Sequence, residues 1–177
     1  MRSIVYYVAA SLDGYICGDN GNIEGFASGG NGIETYMNDL SSFDTVIMGR
    51  NTYEFGYRYG LKPGQKAYPH MHHYIFSDTL VLENADPGVE VCPMNIQIVK
   101  DLKSGSGSDI YLCGGGRFAG WLLSYALIDV LKIKLNPIVL GRGVKLFEGV
   151  EQLMTTHLIE TAKYDGGMMI NSYRLVY

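Results

Sequence analysis

"DIYLCGGGRFAGWLLSYAL", residues 109–127, decides how this chain is read. A β-rich apolar run, "DIYLC", meets three consecutive glycines, and a helical pattern follows. Glycine loses the most conformational freedom on being ordered. Three at one join therefore mean either a permissive loop or a backbone that something must approach closely. An earlier stretch, "DTVIMGRNTYEFGY" (44–57), has the same design of buried strand, glycine with arginine, then helix. In parallel α/β sheets ligands bind beyond the carboxyl ends of the strands. A helix start placed there offers free N–H groups and partial positive charge, and arginine adds a charged fork. Two such joins in one sheet suit a ligand with more than one phosphate, such as a dinucleotide. A strand–glycine–helix turn is common in any α/β protein, so the signal lies in the pair. "GGGRFAG" lacks the Rossmann spacing, and no Gly-Lys-Ser/Thr of a Walker loop occurs.

Working outward, "SIVYYVAA" (3–10) reads as a strand buried on both faces. A loop rich in Gly, Asn and Asp follows to Phe26. Ile33, Tyr36, Met37 and Leu40 have helical spacing, with the helix beginning near Asn31 or Gly32. "HHYIFS" (72–77) is another strand, "DTLVLENADPGVEVCP" a loop or short strands, and "MNIQIVKDLKSGSGS" a helix closed by small residues. "DVLKIKLNPIVLG" (129–141) alternates as one long strand in which Pro137 implies an edge or a bulge. Residues 155–177 read as two strands joined by Asp165-Gly166-Gly167, a hairpin signal. The expected fold is a three-layer α/β/α sandwich: a mostly parallel sheet, helices on both faces and a C-terminal antiparallel hairpin. With no repeat or linker, residues 1–177 form one domain.

Composition narrows the function classes. Apolar residues make up 47% and charged residues 18%, which fits a packed core and excludes disorder. Net charge is −4 with no basic block, so nucleic acid is not expected as a partner. No uncharged apolar run approaches the roughly 20 residues of a membrane span, and the N-terminus reads as a strand rather than a signal peptide. Cys17, Cys92 and Cys113 are an odd, unpaired set suited to a reducing cytoplasm.

Four segments in order carry a family resemblance: "VYYVAASLDGYI", "DTVIMGRNTYE", "IYLCGGGRFAGWLL" and "LNPIVLGRGVKLFEG". Together they resemble the dihydrofolate reductase superfamily, specifically its bacterial branch similar to the reductase domain of riboflavin biosynthesis. The resemblance spans nearly the whole chain. It implies an eight-stranded dihydrofolate-reductase-like sheet with NADPH lying across the strand ends. It also implies hydride transfer to a C=N or C=O carbon of a small, heterocyclic substrate. The cofactor carries that chemistry, while the protein positions the reactants and excludes water. Carried over, Ala9 and Ala10 meet the nicotinamide carboxamide through backbone groups, and Ile16 belongs to a mobile loop closing over it. Gly49, Arg50, Asn51 and Thr52 match the phosphate-binding turn, and Ser77 lies near the adenosine ribose and its 2′-phosphate. Gly114, Gly115, Gly116 and Arg117, flanked by Cys113 and Phe118, match the turn beneath the pyrophosphate. Arg50 is the candidate for favouring NADPH over NADH. Relatives in this branch are often dimers, so a homodimer is expected.

Folate-reducing members place a substrate-binding carboxylate on the first helix. Glu34 is nearest that position and Asp39 lies elsewhere on the same helix, but the family's tryptophan–proline pattern is missing. Glu34 is thus either a substrate ligand or a solvated carboxylate. Asp13 is either a substrate contact or a turn-former beside Gly14. "HMHH" (70–73) lacks the three or four ligands of a zinc site and reads as strand entry. Within the reductase class, reduction of the ribosylaminopyrimidine of riboflavin synthesis and dihydrofolate reduction remain options. A nucleotide-binding protein without turnover is the alternative from another class.

Overall fold

The computed structural model describes all residues, 1–177. Ten strands and four α-helices follow the chain as β1 (Ile4–Ala10), β2 (Tyr15–Cys17), α1 (Asn31–Leu40), β3 (Thr45–Gly49), α2 (Arg50–Phe55), β4 (His72–Phe76) and β5 (Val89–Cys92). Then come α3 (Ile96–Ser104), β6 (Ile110–Gly114), α4 (Gly116–Ser124), β7 (Val130–Leu135), β8 (Val144–Lys145), β9 (Thr155–Lys163) and β10 (Met169–Val176). Eight strands form one sheet in the order β5-β4-β3-β6-β1-β7-β10-β9. The first six run parallel, and β10 and β9 close the sheet antiparallel. No helix is long and apolar enough to cross a membrane.

Strand alternation explains the two cores. Ile4 and Tyr6 of β1 point to one face with Leu112, Val99 of α3 and Leu122 of α4. Val5 and Tyr7 point to the other with Tyr111, Leu40 of α1 and Tyr53 of α2. From β1 the chain steps to β3, β4 and β5 in one direction, with α1 and α2 on one face. It returns to β6 and then β7 in the other direction, with α3 and α4 on the opposite face. Right-handed crossovers dictate this change of face. The amino-terminal edge of the sheet is pinned by ion pairs between Arg2 and Asp44 and between Lys103 and Asp129. Asp129 also accepts the Ile4 N–H at 2.7 Å. The glycine joins lie at the other edge.

Four expectations need adjusting. β7 is central, between β1 and β10, and it stops at Leu135. Asn136 ends it: its backbone N–H bonds Ala10 O at 2.8 Å, and its buried amide bonds Lys134 O and Ala27 N. Pro137 therefore lies past the ladder, neither at an edge nor in a bulge. The 11–26 loop contains β2, which pairs with β8 as a separate two-stranded sheet. Ile16 lies within β2, between the paired Tyr15 and Cys17, so the loop it was expected to belong to is tied to β8 at this point. Helix α3 is shorter than its pattern, beginning where the Asn95 side chain accepts the Gln97 N–H at 2.9 Å.

Candidate functional site

The two glycine joins are neighbours. β3 and β6 pair side by side, yet α2 and α4 leave them for opposite faces, which opens a crevice at their carboxyl ends. A Cβ on Gly49 would lie 3.3 Å from Phe118 Cβ, and one on Gly115 would lie 3.0 Å from Thr52 Oγ1. Both helices start without a side-chain cap, unlike α3. Their first N–H groups are thus left for solvent or a ligand.

The three glycines divide by role. Gly114 (φ +138°) and Gly115 (φ +58°) adopt backbone that other residues rarely take; a Cβ on Gly115 would face Thr52 across the crevice, and one on Gly114 would lie 3.8 Å from the Tyr6 ring. Gly116 serves the chain itself: a Cβ there would lie 2.1 Å from Lys145 O. One helical turn later, a Cβ on Gly120 would lie 1.9 Å from Glu148 O. The segment after β8 crosses α4 backbone to backbone over these two glycines. It is fixed there by Glu148 N–H to Gly116 O (3.0 Å) and by Tyr6 Oη–H to Leu146 O (3.1 Å).

Cationic and hydroxyl groups border the crevice. Arg50 donates Nε–H to Glu54 (2.8 Å) and Nη1–H to Thr79 Oγ1 (3.0 Å), leaving its other terminal nitrogen free. Ser77 Oγ, past the end of β4, accepts the Thr79 and Leu80 N–H groups at 3.2 and 3.0 Å. Its own hydroxyl proton remains available to a ligand. Arg117 and Asn51 are exposed. Thr79 is a neighbour that sequence reading missed, since it lies in an irregular loop with no motif.

Beyond Tyr6 the sheet splits. β1 pairs with β6 only from Ile4 to Tyr6, whereas its pairing with β7 runs on to Ala10. Backbone groups of successive residues point to alternate edges. Ser3 O accepts the Ile110 N–H on the β6 side, and Ala10 O accepts Asn136 N–H on the β7 side. Ala9 therefore directs its N–H and C=O into the split. Of the two alanines expected to offer backbone groups, Ala10 has its carbonyl already engaged. Just where the β1–β6 pairing ends, β6 shifts register against β3 between Ile47 and Met48, so that Cys113 is the bulged residue. Bulges re-aim side chains beside functional sites.

The two carboxylate candidates do not meet in this crevice. Glu34 is exposed on the outer side of α1, where it lines a shallow groove with Gly30, Met37 and Asn38. Asp13 closes a turn, accepting Ser11 Oγ–H (2.6 Å) and the N–H groups of Leu140 (3.1 Å) and Gly141 (2.7 Å). The Ser11 bond foremost, helped by the two backbone donors, lowers its pKa to about 2. Asp39, on the inner side of α1, is taken by Lys132 (2.7 Å) and Tyr7 Oη (3.0 Å).

What does line the inner wall is Cys113, expected only as a flank of the glycine turn, together with four residues the sequence did not single out: Lys134, Tyr36, Tyr68 and Tyr111. Tyr36 and Tyr111 share a hydroxyl hydrogen bond of 2.8 Å, and Tyr68 Oη lies 3.5 Å from Cys113 Sγ. Burial pushes Tyr36 up to about 12, raises Tyr68 and Tyr111 well above the usual phenol range and raises the Cys113 thiol. Burial lowers Lys134 to about 8. The available signal was "KIKL", two lysines at alternate positions of a strand covered on both faces. Of the histidines, His73 is buried and stacked on Tyr68. His70 Nε2 lies 3.0 Å from Leu40 O.

Comparison with known proteins agrees with this architecture. Residues 2–170 match the family described as the RibD C-terminal domain. The uncharacterized protein YyaP of Bacillus subtilis (strain 168) is 26% identical, over 95% of this chain and 92% of its own. A putative riboflavin biosynthesis protein from Shewanella sp. PV-4 superposes with a TM-score of 0.83 at 24% identity, covering all of both chains. Dihydrofolate reductase from Enterococcus faecalis, complexed with NADP(H), superposes with a TM-score of 0.65 at 14% identity, covering 99% of this chain and 97% of its own. The fold is dihydrofolate-reductase-like.

Proposed function

The chain belongs to the RibD C-terminal domain family, and from that premise we propose that it is an NADPH-dependent reductase of a small heterocyclic substrate. The observation that carries the reading is the pair of uncapped, glycine-led helix starts facing one another at the ends of β3 and β6. Their donor set fits a pyrophosphate: free N–H groups, Thr52 Oγ1 against Gly115, and Arg117 exposed at the start of α4. Arg50, Ser77 and Thr79 form a second anion-receiving group one strand away, suited to the 2′-phosphate that separates NADPH from NADH. Ala9 supplies backbone N–H and C=O in the split, a match for a carboxamide. When bound, the cofactor supplies a hydride; the residues around it hold it, exclude water and orient the acceptor carbon.

Within this class a pyrimidine intermediate of riboflavin synthesis is a more natural acceptor than dihydrofolate, because the inner face of α1 offers no free carboxylate to a pterin. Asp39 is already bonded twice, and Glu34 faces outward. The protein acts in the cytoplasm as a homodimer; a monomeric mass in light scattering would remove the dimer. The function is tested by titrating NADPH and NADH into the protein and following nucleotide fluorescence. Binding of NADPH in preference to NADH is expected, and absence of binding by either would refute the assignment. Cofactor oxidation is then screened against oxo-pyrimidines, pterins and dihydrofolate. Binding without turnover of any would favour the nucleotide-binding alternative.

A further inference from the structure

We propose that Lys134 is the substrate-side cation of the crevice. It binds the oxygen or nitrogen of the acceptor's C=O or C=N bond and supplies the proton that completes reduction. The site thereby selects electron-rich oxo-heterocycles over protonated amino-heterocycles. This rests on the reductase reading for the reaction, though not for the binding.

Lys134 is 8% exposed, and its ammonium has no carboxylate and no hydrogen-bond acceptor. The chain's other inward lysines are all paired. Lys132, two residues earlier on the same face, bonds Asp39, and Lys103 bonds Asp129 and Leu127 O. A buried ammonium without an acceptor is costly. The Tyr36 ring, 3.2 Å from Nζ to its centroid, offsets part of that cost and leaves the N–H groups unsatisfied. Asn171 Oδ1 is the only fully sealed side-chain polar atom lacking a partner, so the Lys134 tip keeps access to solvent.

The placement suits a substrate contact. Lys134 sits opposite Ala9, whose methyl leaves room for the lysine to lie across β1 toward Cys113. Its surroundings contribute Tyr36 from α1, Cys113 from β6, Tyr68 from the loop before β4, and apolar Ile170 from β10. Burial keeps the phenols and the thiol neutral, and the neighbouring Lys132 and Asp39 neutralise one another, so Lys134 carries the one unpaired charge on this wall. An acid whose pKa burial has brought to about 8 gives up a proton near neutral pH far more readily than an ordinary lysine. As hydride from the nicotinamide donor adds to the acceptor carbon, the π pair moves to nitrogen or oxygen. One Lys134 N–H bond breaks and its proton goes to that atom. The neutral amine then takes a proton from solvent. The substrate gains two electrons and the donor loses two.

The test uses the full chain without cofactor, with barbiturate as an anionic oxo-pyrimidine and 2,4-diaminopyrimidine as the opposing probe. By calorimetry, wild type binds barbiturate in preference, Lys134→Met weakens it at least tenfold, and Lys134→Arg retains most of it. NADPH affinity stays within twofold in both variants. In lysine side-chain NMR the Lys134 signal titrates near neutral pH and moves to higher pH when barbiturate is added. Undetectable barbiturate binding, equal affinity in wild type and Lys134→Met, or preference for the diaminopyrimidine would each overturn the proposal. If barbiturate depends on Lys134 but NADPH does not bind, the reductase reading fails while the binding role stands. Should Lys134→Met not fold, the arginine variant and the wild-type titration still decide.

Discussion

Gly120→Ala sets two effects of opposite sign against each other. Gly120 lies inside α4 with no positive φ, so helix propensity alone predicts a gain of about 1 kcal/mol for alanine. The new Cβ, however, would stand 1.9 Å from Glu148 O and 3.0 Å from its carbonyl carbon, against an ordinary contact of 3.4 Å or more. The crossing segment must retreat by the difference, 3.4 minus 1.9, or about 1.5 Å. Such a retreat endangers two hydrogen bonds, Glu148 N–H to Gly116 O and Tyr6 Oη–H to Leu146 O, each contributing about 0.5–1.5 kcal/mol. It also loosens Phe147 from its edge contact with Tyr6. With an overpacking cost of about 1–3 kcal/mol, the clash outweighs propensity and leaves a net loss of about 1–5 kcal/mol. For a domain of this size that corresponds to a fall in Tm of roughly 2–20 °C. Scanning calorimetry of wild type and variant measures it directly. A Tm equal to or above wild type would show that the segment yields freely and that the close approach does not hold it.

Three further outcomes follow from the site and its charges. Arg50→Ala is expected to weaken NADPH about 5–30-fold more than NADH, a discounted charge-assisted bond for a half-exposed guanidinium. Equal loss for both nucleotides in calorimetric titration would remove the 2′-phosphate role. Gly115→Val should abolish nucleotide binding, because its side chain fills the space before Thr52 at φ +58°, while circular dichroism still reports a folded sheet. Wild-type affinity in a folded variant would place the pyrophosphate elsewhere. Stability should fall as pH drops from about 6.5 toward 4, the interval over which burial keeps His73 neutral while the unfolded chain takes up its proton. His73 Nδ1–H donates to Met71 O and Nε2 accepts the Tyr68 N–H, so the folded site has no room for a second ring proton. Urea midpoints across that window should show a loss on the order of 2 kcal/mol that His73→Gln largely removes.

The sequence carried the sheet and half of the site. Strands with almost no polar content, such as "TVIM" and "IYLC", are legible because parallel strands are buried on both faces. The glycine joins were legible because few residues other than glycine adopt the backbone seen at Gly114 and Gly115. Gly116 and Gly120 were not separable from them: what forbids a side chain there is the 145–148 segment, which arrives from far along the chain. Lys134 was missed for a related reason. Alternating lysines in a strand ordinarily mark a solvated face, and only the positions of α1 and β10 turn that face inward. For Asp13 the sequence left substrate contact and turn-former open; the structure shows the turn, and its grip on Leu140 and Gly141 comes from a segment too distant in sequence to be read.

The position of β1 bears on how the protein is made. It is synthesised before the other strands of its sheet and lies in the middle of that sheet, yet its partners are β6 and β7. Val5 waits for Tyr111 on one side and Val130 on the other, while β3, β4 and β5 can pair among themselves much sooner. Pairings so distant in sequence carry a high loop-closure cost and form slowly. Until β6 has emerged both edges of this apolar strand are open, and until residue 135 has emerged one still is, the situation in which nascent proteins depend on chaperones. The split beside Ala9 lies between β1 and these two late partners, so the crevice cannot take shape before they have paired.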